Sequence, residues 1–187
     1  MADNQNLQYT GFDKIPVEHL NPLIDRQFVY GERAMLARGR RRLGRDRRWR
    51  LRLAITPDRE ANRLGAAPQG RGDLGERMRR ALAGCPPGPA VLVGTDIPGM
   101  APSHIAEAFA LLGRHDIVFG PASDGGFWLV GVRRRPPNFG TVRWSTQHAL
   151  EDVLANLPRS LSIGFAATLD DVDDGAAYRR FGPFRGF

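Results

Sequence analysis

The chain has one cysteine and, apart from Lys14, no lysine among 187 residues, and each scarcity removes a class of explanation. Cys85, set between Gly84 and Pro86, has no partner for a disulfide within the chain, so no intrachain crosslink is available to hold the fold. No apolar run approaches the ~20 residues that cross a bilayer, and the amino terminus lacks a charged-then-apolar signal pattern. A soluble, cytoplasmic protein is the expectation. His19, His104, His115 and His148 are scattered without ligand spacing, which argues against a zinc centre. With lysine nearly absent, the formal net charge of +7 is carried by arginine. Arg38 to Arg50 holds eight arginines in thirteen residues, enough to attract phosphates. No aromatic interleaving or nucleic-acid motif accompanies that run, so it reads as a solvated helix face leading into a strand, and nucleic acid is not the expected partner.

At 42% hydrophobic content the chain can bury one ordinary core. Short β-branched or aromatic runs bounded by Gly and Pro predict strands over Leu51–Thr56, Ala90–Val93, Asp116–Phe119, Phe127–Val132 and Leu161–Phe165. Helical spacing predicts helices over Gly75–Gly84, capped by Asp73, over Ser103–Gly113, capped by Ser103, and from Ser145 as cap through Leu157. Strands alternating with helices imply an α/β fold with a mostly parallel sheet.

Two segments carry a lone carboxylate just past a predicted strand: Gly94-Thr95-Asp96-Ile97-Pro98 and Gly120-Pro121-Ala122-Ser123-Asp124-Gly125-Gly126. In open α/β sheets ligands bind outside the carboxyl ends of the strands, so Asp96 and Asp124 are candidate site residues if the two strands are parallel neighbours. The competing reading makes Asp96 a loop cap and Asp-Gly-Gly a hairpin turn, for which Asp-Gly is a strong signal.

Together with Gln69-Gly70-Arg71-Gly72-Asp73-Leu74-Gly75-Glu76-Arg77-Met78, Phe127 to Gly131, Val142-Arg143-Trp144-Ser145 and Asp171-Val172-Asp173, these segments resemble a known family. From about Leu51 to Arg180 the chain is similar to bacterial glycosyltransferase-like proteins of the nucleotide-diphospho-sugar transferase (GT-A) fold, a group related to 2-phospho-lactate guanylyltransferase. The resemblance implies a Rossmann-like sheet and a nucleotide-dependent glycosyl or nucleotidyl transferase that takes a nucleotide or nucleotide-sugar donor and an unknown acceptor. It further implies that Asp96 and Asp173 hold Mg²⁺ or Mn²⁺, hard cations suited to carboxylate and phosphate oxygens. Gln69, Gly72 and Asp73, with Thr95, would bind the nucleotide. Asp124, Gly125 and Gly126 would face the acceptor or sugar, with Asp124 and Asp96 as the catalytic carboxylates, and Trp144 and Ser145 would close that side. Trp144 is equally suited to filling the core.

Members of that family open with a first strand and a Pro/Gly-rich loop carrying a Lys-Thr-Arg-type segment that holds phosphates. Residues 1–38 show neither and instead resemble the start of a small cupin, which divides the chain into an atypical segment, 1–38, and a GT-A-like domain, 39–187. Without the phosphate loop, the alternative function is a catalytically inactive domain that binds a nucleotide or a partner.

Overall fold

The computed structural model describes residues 43, 45–56, 58–64, 66–94, 97 and 99–170. In chain order these form β1 (Ala54–Ile55), α1 (Asp58–Leu64), β2 (Ala67–Pro68), α2 (Leu74–Ala83), β3 (Ala90–Val93), α3 (Pro102–Leu112), β4 (Ile117–Pro121), β5 (Phe127–Val132), α4 (Ala149–Asn156) and β6 (Ile163–Phe165). The expected first strand, Leu51–Thr56, pairs only at Ala54–Ile55, because its partner β2 is two residues long. Asp58 opens a helix that the sequence reading left out.

Four strands make the main sheet, in the order β3-β5-β4-β6. β5 runs antiparallel to both β3 and β4, while β4 and β6 are parallel. The mostly parallel sheet expected from the alternation of elements is therefore a mixed one. The physical reason is the connection between β4 and β5: five residues, Ala122 to Gly126, are too few for a crossover, and the chain returns as a hairpin. β3 and β4 still point the same way, since both oppose β5. They are not neighbours, and their carboxyl ends reach the same edge of the sheet with one strand between them.

Period-two alternation gives each face its own core. Ile117, Phe119, Val130 and Val132 face α2 and α4, meeting Met78, Leu82, Val153 and Leu157. Val118 and Leu129 face the other way, toward Ile105, Ala108 and Leu112 of α3. Each such side chain contributes about 1.5–3 kcal/mol when fully buried. At Gly131 an added Cβ would lie 3.1 Å from Leu112 Cδ1, so the absence of a side chain there lets α3 sit close on the sheet.

The helix starts test the capping expectations one by one. Asp73 caps α2 as expected: its Oδ1 accepts the Glu76 N–H at 2.8 Å, and Glu76 Oε2 accepts the Asp73 N–H at 3.1 Å. Ser103 does not cap α3. That helix begins one residue earlier at Pro102, a residue suited to the first helical position because its missing N–H would have no partner there. The N-cap is Ala101, whose N–H donates to His104 Nδ1 at 3.2 Å.

Candidate functional site at the carboxyl edge of the sheet

The β4–β5 connection is a tight turn, as the hairpin reading of Asp-Gly-Gly holds. The Ala122 N–H donates to the Gly126 carbonyl at 3.0 Å, and Asp124 Oδ1 accepts the Gly126 N–H at 2.8 Å. Asp124 is exposed, and Gly125 has φ of 90°. The turn is pinned to the first turn of α4, where the Leu150 N–H donates to the Gly125 carbonyl at 3.2 Å. It is also tied to the chain beyond β6: the Leu169 N–H donates to the Pro121 carbonyl at 3.1 Å, and the Ser123 hydroxyl bonds to Asp170 Oδ1.

A register shift between Gly120 and Pro121 places Trp128 opposite no residue of β4. This bulge has a consequence for the faces. Trp128 and Leu129 are adjacent in sequence yet both belong to the α3-side core, while Phe127 joins the other core. Strict alternation forbids that arrangement, and bulges are the usual device for re-aiming a side chain beside a site. Trp128 lies across Gly120, where an added Cβ would meet its ring at 2.6 Å. Its Nε1–H donates to the Ala167 carbonyl at 3.0 Å, and its own carbonyl accepts the Gly94 N–H at 3.0 Å. One buried tryptophan thus bonds to the chain leaving β3 and to the chain leaving β6.

The Gln69–Asp73 loop joins the carboxyl end of β2 to the start of α2. Gly70 and Gly72 take φ of 74° and 105°, values that favour residues without a Cβ. Arg80 holds the loop from below, donating from Nη1 to the Gln69 carbonyl and from Nη2 to the Arg71 carbonyl at 2.9 Å. Gln69 is buried. Its Nε2 donates to the Ala54 carbonyl at 3.0 Å, while its Oε1 is buried with no hydrogen-bond partner among the described residues. Asp73 is engaged in the α2 cap, so its Oδ1 already has a donor.

Trp144 links this loop to the hairpin. It packs so closely on the start of α2 that a Cβ at Gly75 would lie 2.6 Å from its ring, and it meets Phe127 edge-on at 6.4 Å between centroids. Half-buried against the core, it satisfies the packing reading, yet its Nε1–H is buried without a partner among the described residues. Ser145 does not cap α4. With φ of 58° it is the one non-glycine residue in the left-handed region among those described, and the N-cap position falls three residues later, at His148. The turn is built by Thr146, whose hydroxyl donates to the Arg143 carbonyl at 2.7 Å and accepts the His148 N–H at 3.2 Å, and the helix starts at Ala149.

Arg143 anchors the same turn to α4: its Nη2 donates to Asp152 Oδ1 at 2.6 Å, and its backbone N–H and Nε donate to Oδ2. The Arg143 side chain holds the Asp152 carboxyl well below the ordinary 3.8. Asp116, which accepts bonds from the Ser162 backbone N–H and hydroxyl, is lowered for the same kind of reason. A carboxyl depressed in the folded state stabilises the fold at any pH above its unfolded value, and that contribution is lost as pH falls toward the folded one. Urea unfolding midpoints should therefore be flat near neutrality and fall below about pH 4, with a shallower fall in Asp152→Asn. An unchanged acid profile in the variant would show that the pair contributes nothing.

Gln69, Gly72, Asp73, Trp144 and the 124–126 turn are thus brought along one edge, with Trp144 and Phe127 between the loop and the hairpin. Thr95, Asp96 and Asp173 lie outside the described residues. Among the described residues no group of three or more His, Cys, Asp or Glu side chains is arranged to hold a metal ion. Trp128, Arg80 and Thr146 were missed at the sequence level. Only the Ser-Thr pair before α4 left a local trace of such a turn.

A profile for uncharacterized proteins conserved in bacteria, DUF2064, matches residues 39–146. The chain belongs to this family. The fold is similar to that of a crystal structure from Desulfovibrio desulfuricans G20, provisionally named a nucleotide-diphospho-sugar transferase. The identity is 24% and the TM-score 0.68, with 87% of this chain and 79% of that chain covered. At this identity the likeness establishes the fold: an α/β architecture with a mixed sheet resembling the GT-A-like nucleotide-diphospho-sugar transferase fold. No curated protein matches the chain. Neither match is to a cupin or to 2-phospho-lactate guanylyltransferase, and the cupin-like start falls on residues 1–38, outside the described residues and the family match. Among the described residues no helix is long and apolar enough to cross a membrane.

Proposed function

We propose that this family member binds a nucleoside phosphate donor with a divalent cation at the carboxyl edge of the sheet, as a nucleotide-dependent glycosyl or nucleotidyl transferase does. The observation that carries the reading is the junction at Trp128. This tryptophan and the β4–β5 hairpin tie Gly94, beyond β3, and Ala167, Leu169 and Asp170, beyond β6, to one edge, and in the sequence Asp96 follows Gly94 by two residues and Asp173 follows Asp170 by three.

The edge also has the right electrostatic sense for phosphates. α2, α3 and α4 all begin there, so the partial positive charges of three helix starts face the same side. The donor chemistry fits a hard cation: the carboxylates at or next to this edge, Asp124 and Asp170 included, are oxygen ligands of the kind Mg²⁺ and Mn²⁺ take with substrate phosphates. Such a cation neutralises phosphate charge and orients the leaving group. The remaining roles belong to the chain. Gln69 and Trp144, each with a buried polar atom that has no partner among the described residues, and the turns at Gly72 and Gly125 border the edge where the ligand would sit.

The test is a calorimetric and thermal-shift titration of the full chain with GTP and with UDP-sugars, with and without Mg²⁺. Saturable binding that requires the metal is expected, and at a ligand concentration ~100-fold above Kd it should stabilise the fold by about 2.7 kcal/mol. Asp96→Asn should weaken metal-dependent binding about tenfold or more, on the order of 1.4 kcal/mol, at unchanged stability without ligand. Absence of metal-dependent binding by the folded chain would instead favour the inactive, partner-binding alternative.

A further inference from the structure

The edge of the sheet opposite the candidate site has a different character. There the chain enters β3, β4 and β6 and leaves β5, through residues 84–89, 113–116, 157–162 and 133–138. These loops carry Arg114, Arg133, Arg134, Arg135 and Arg159, and Arg52 joins them by donating from Nη1 to the Gly84 carbonyl. All six are exposed, and among the described residues none of them forms a salt bridge. The loops contain one acidic residue, Asp116, whose carboxylate accepts the backbone N–H and the hydroxyl of Ser162 at 3.0 and 2.7 Å. Asp116 also feels the charges of Arg133 and Arg134 and offsets part of the row, while the remaining ionic side chains of these loops are all cationic.

Its shape follows from the strand order. The Arg133 N–H donates to the Asp116 carbonyl at 2.8 Å and the Asp116 N–H to the Ser162 carbonyl at 2.9 Å, so these loops are laid side by side in the sequence of the strands that feed them. With strands ~4.8 Å apart, the row extends over about 15 Å. Phosphates along one strand of a DNA duplex recur every ~3.4 Å of axis, so the row matches about four of them. Arginine suits such a partner because its planar guanidinium binds phosphate oxygens in pairs. No Phe, Trp or Tyr lies in these loops, so bases have nothing to stack on. A membrane surface fits less well, since the one exposed large hydrophobic among the described residues, Phe165, is at the far end of β6.

We propose that this arginine row is a sequence-independent binding surface for a nucleic-acid phosphate backbone, separate from the candidate site on the opposite edge. The row is a product of the tertiary structure: it draws on none of the dense Arg38–Arg50 run. That run supplies the control, because Arg45, Arg47 and Arg50 are exposed and carry the same charge as Arg133, Arg134 and Arg135.

The experiment is fluorescence anisotropy of a short labelled DNA duplex titrated with the full chain over a range of salt. Binding should weaken as salt rises, with a slope of log K against log salt near about −3.6 for four phosphate contacts. Combined Arg133→Gln, Arg134→Gln and Arg135→Gln should reduce the steepness of that slope by about 3 and the low-salt affinity about tenfold or more. The triple lysine replacement at the same positions keeps the charge and should retain most of the binding. The proposal is overturned if Arg45→Gln, Arg47→Gln and Arg50→Gln together weaken binding as much, which would reduce it to net-charge attraction. It is also overturned if the folded protein does not bind the duplex, or binds phosphatidylserine vesicles and not DNA.

Discussion

Trp128→Ala should lower folding stability by about 3–5 kcal/mol, the range for deleting a buried large aromatic side chain. The residue is 3% exposed and sits in the α3-side core, so its removal leaves a cavity between α3 and the sheet. Its loss also breaks the bond to the Ala167 carbonyl, one of the ties that hold the chain beyond β6 against the edge. Against a total of ~5–15 kcal/mol for a typical domain, that loss leaves a fold close to its threshold. Trp128→Phe separates the two effects. It keeps most of the buried ring and loses the N–H donor, and about 1 kcal/mol is expected from the missing hydrogen bond. Chemical denaturation of the three proteins measures both numbers. Equal losses in the alanine and phenylalanine variants would mean that the hydrogen bond, not the packing, is what matters there. Trp128→Phe should also weaken the metal-dependent nucleotide binding proposed above, since the chain beyond β6 loses its anchor at Ala167.

Gly125→Ala should cost about 3–4 kcal/mol, from two sources that act together. At φ of 90° a residue with a Cβ is strained, and the added atom would stand 2.1 Å from the Gln147 carbonyl oxygen. That neighbour is backbone, held by the turn that starts α4, so it cannot swing aside as a flexible side chain would. The next residue is the internal control. Gly126 has no positive φ, and an added Cβ there meets Asp124 Oδ1 at 3.0 Å, the end of an exposed side chain that can shift at the expense of its one hydrogen bond to the Gly126 N–H. Gly126→Ala should therefore cost much less than Gly125→Ala in the same denaturation series. Comparable losses would show that the hairpin tip shifts as a unit and that the clash with Gln147 is relieved by backbone movement.

Several parts of this architecture are local enough to be legible in sequence. The Asp73–Glu76 capping box, the apolar stripe of α2 and the strands at Ala90, Phe127 and Ile117 depend on residues a few positions apart. Their physics, cap hydrogen bonds and the burial of one face, is complete within each segment. The caps expected at Ser103 and Ser145 failed for equally local reasons: a proline that starts the helix earlier, and a left-handed backbone that turns the chain before α4 begins.

The sequence by itself determined the α/β class and most of the elements, and offered the turn as one of two readings of Asp-Gly-Gly, because each rests on near neighbours in the chain. Only the tertiary structure decided that β5 returns antiparallel between β3 and β4, and that a bulge turns Trp128 to the α3 side. It also decided that Gln69 keeps a buried acceptor with no partner among the described residues, and that five loop arginines and Arg52 line one edge. Those features join residues far apart in sequence, and strand order and side-chain packing, which set them, leave no periodic trace in the chain.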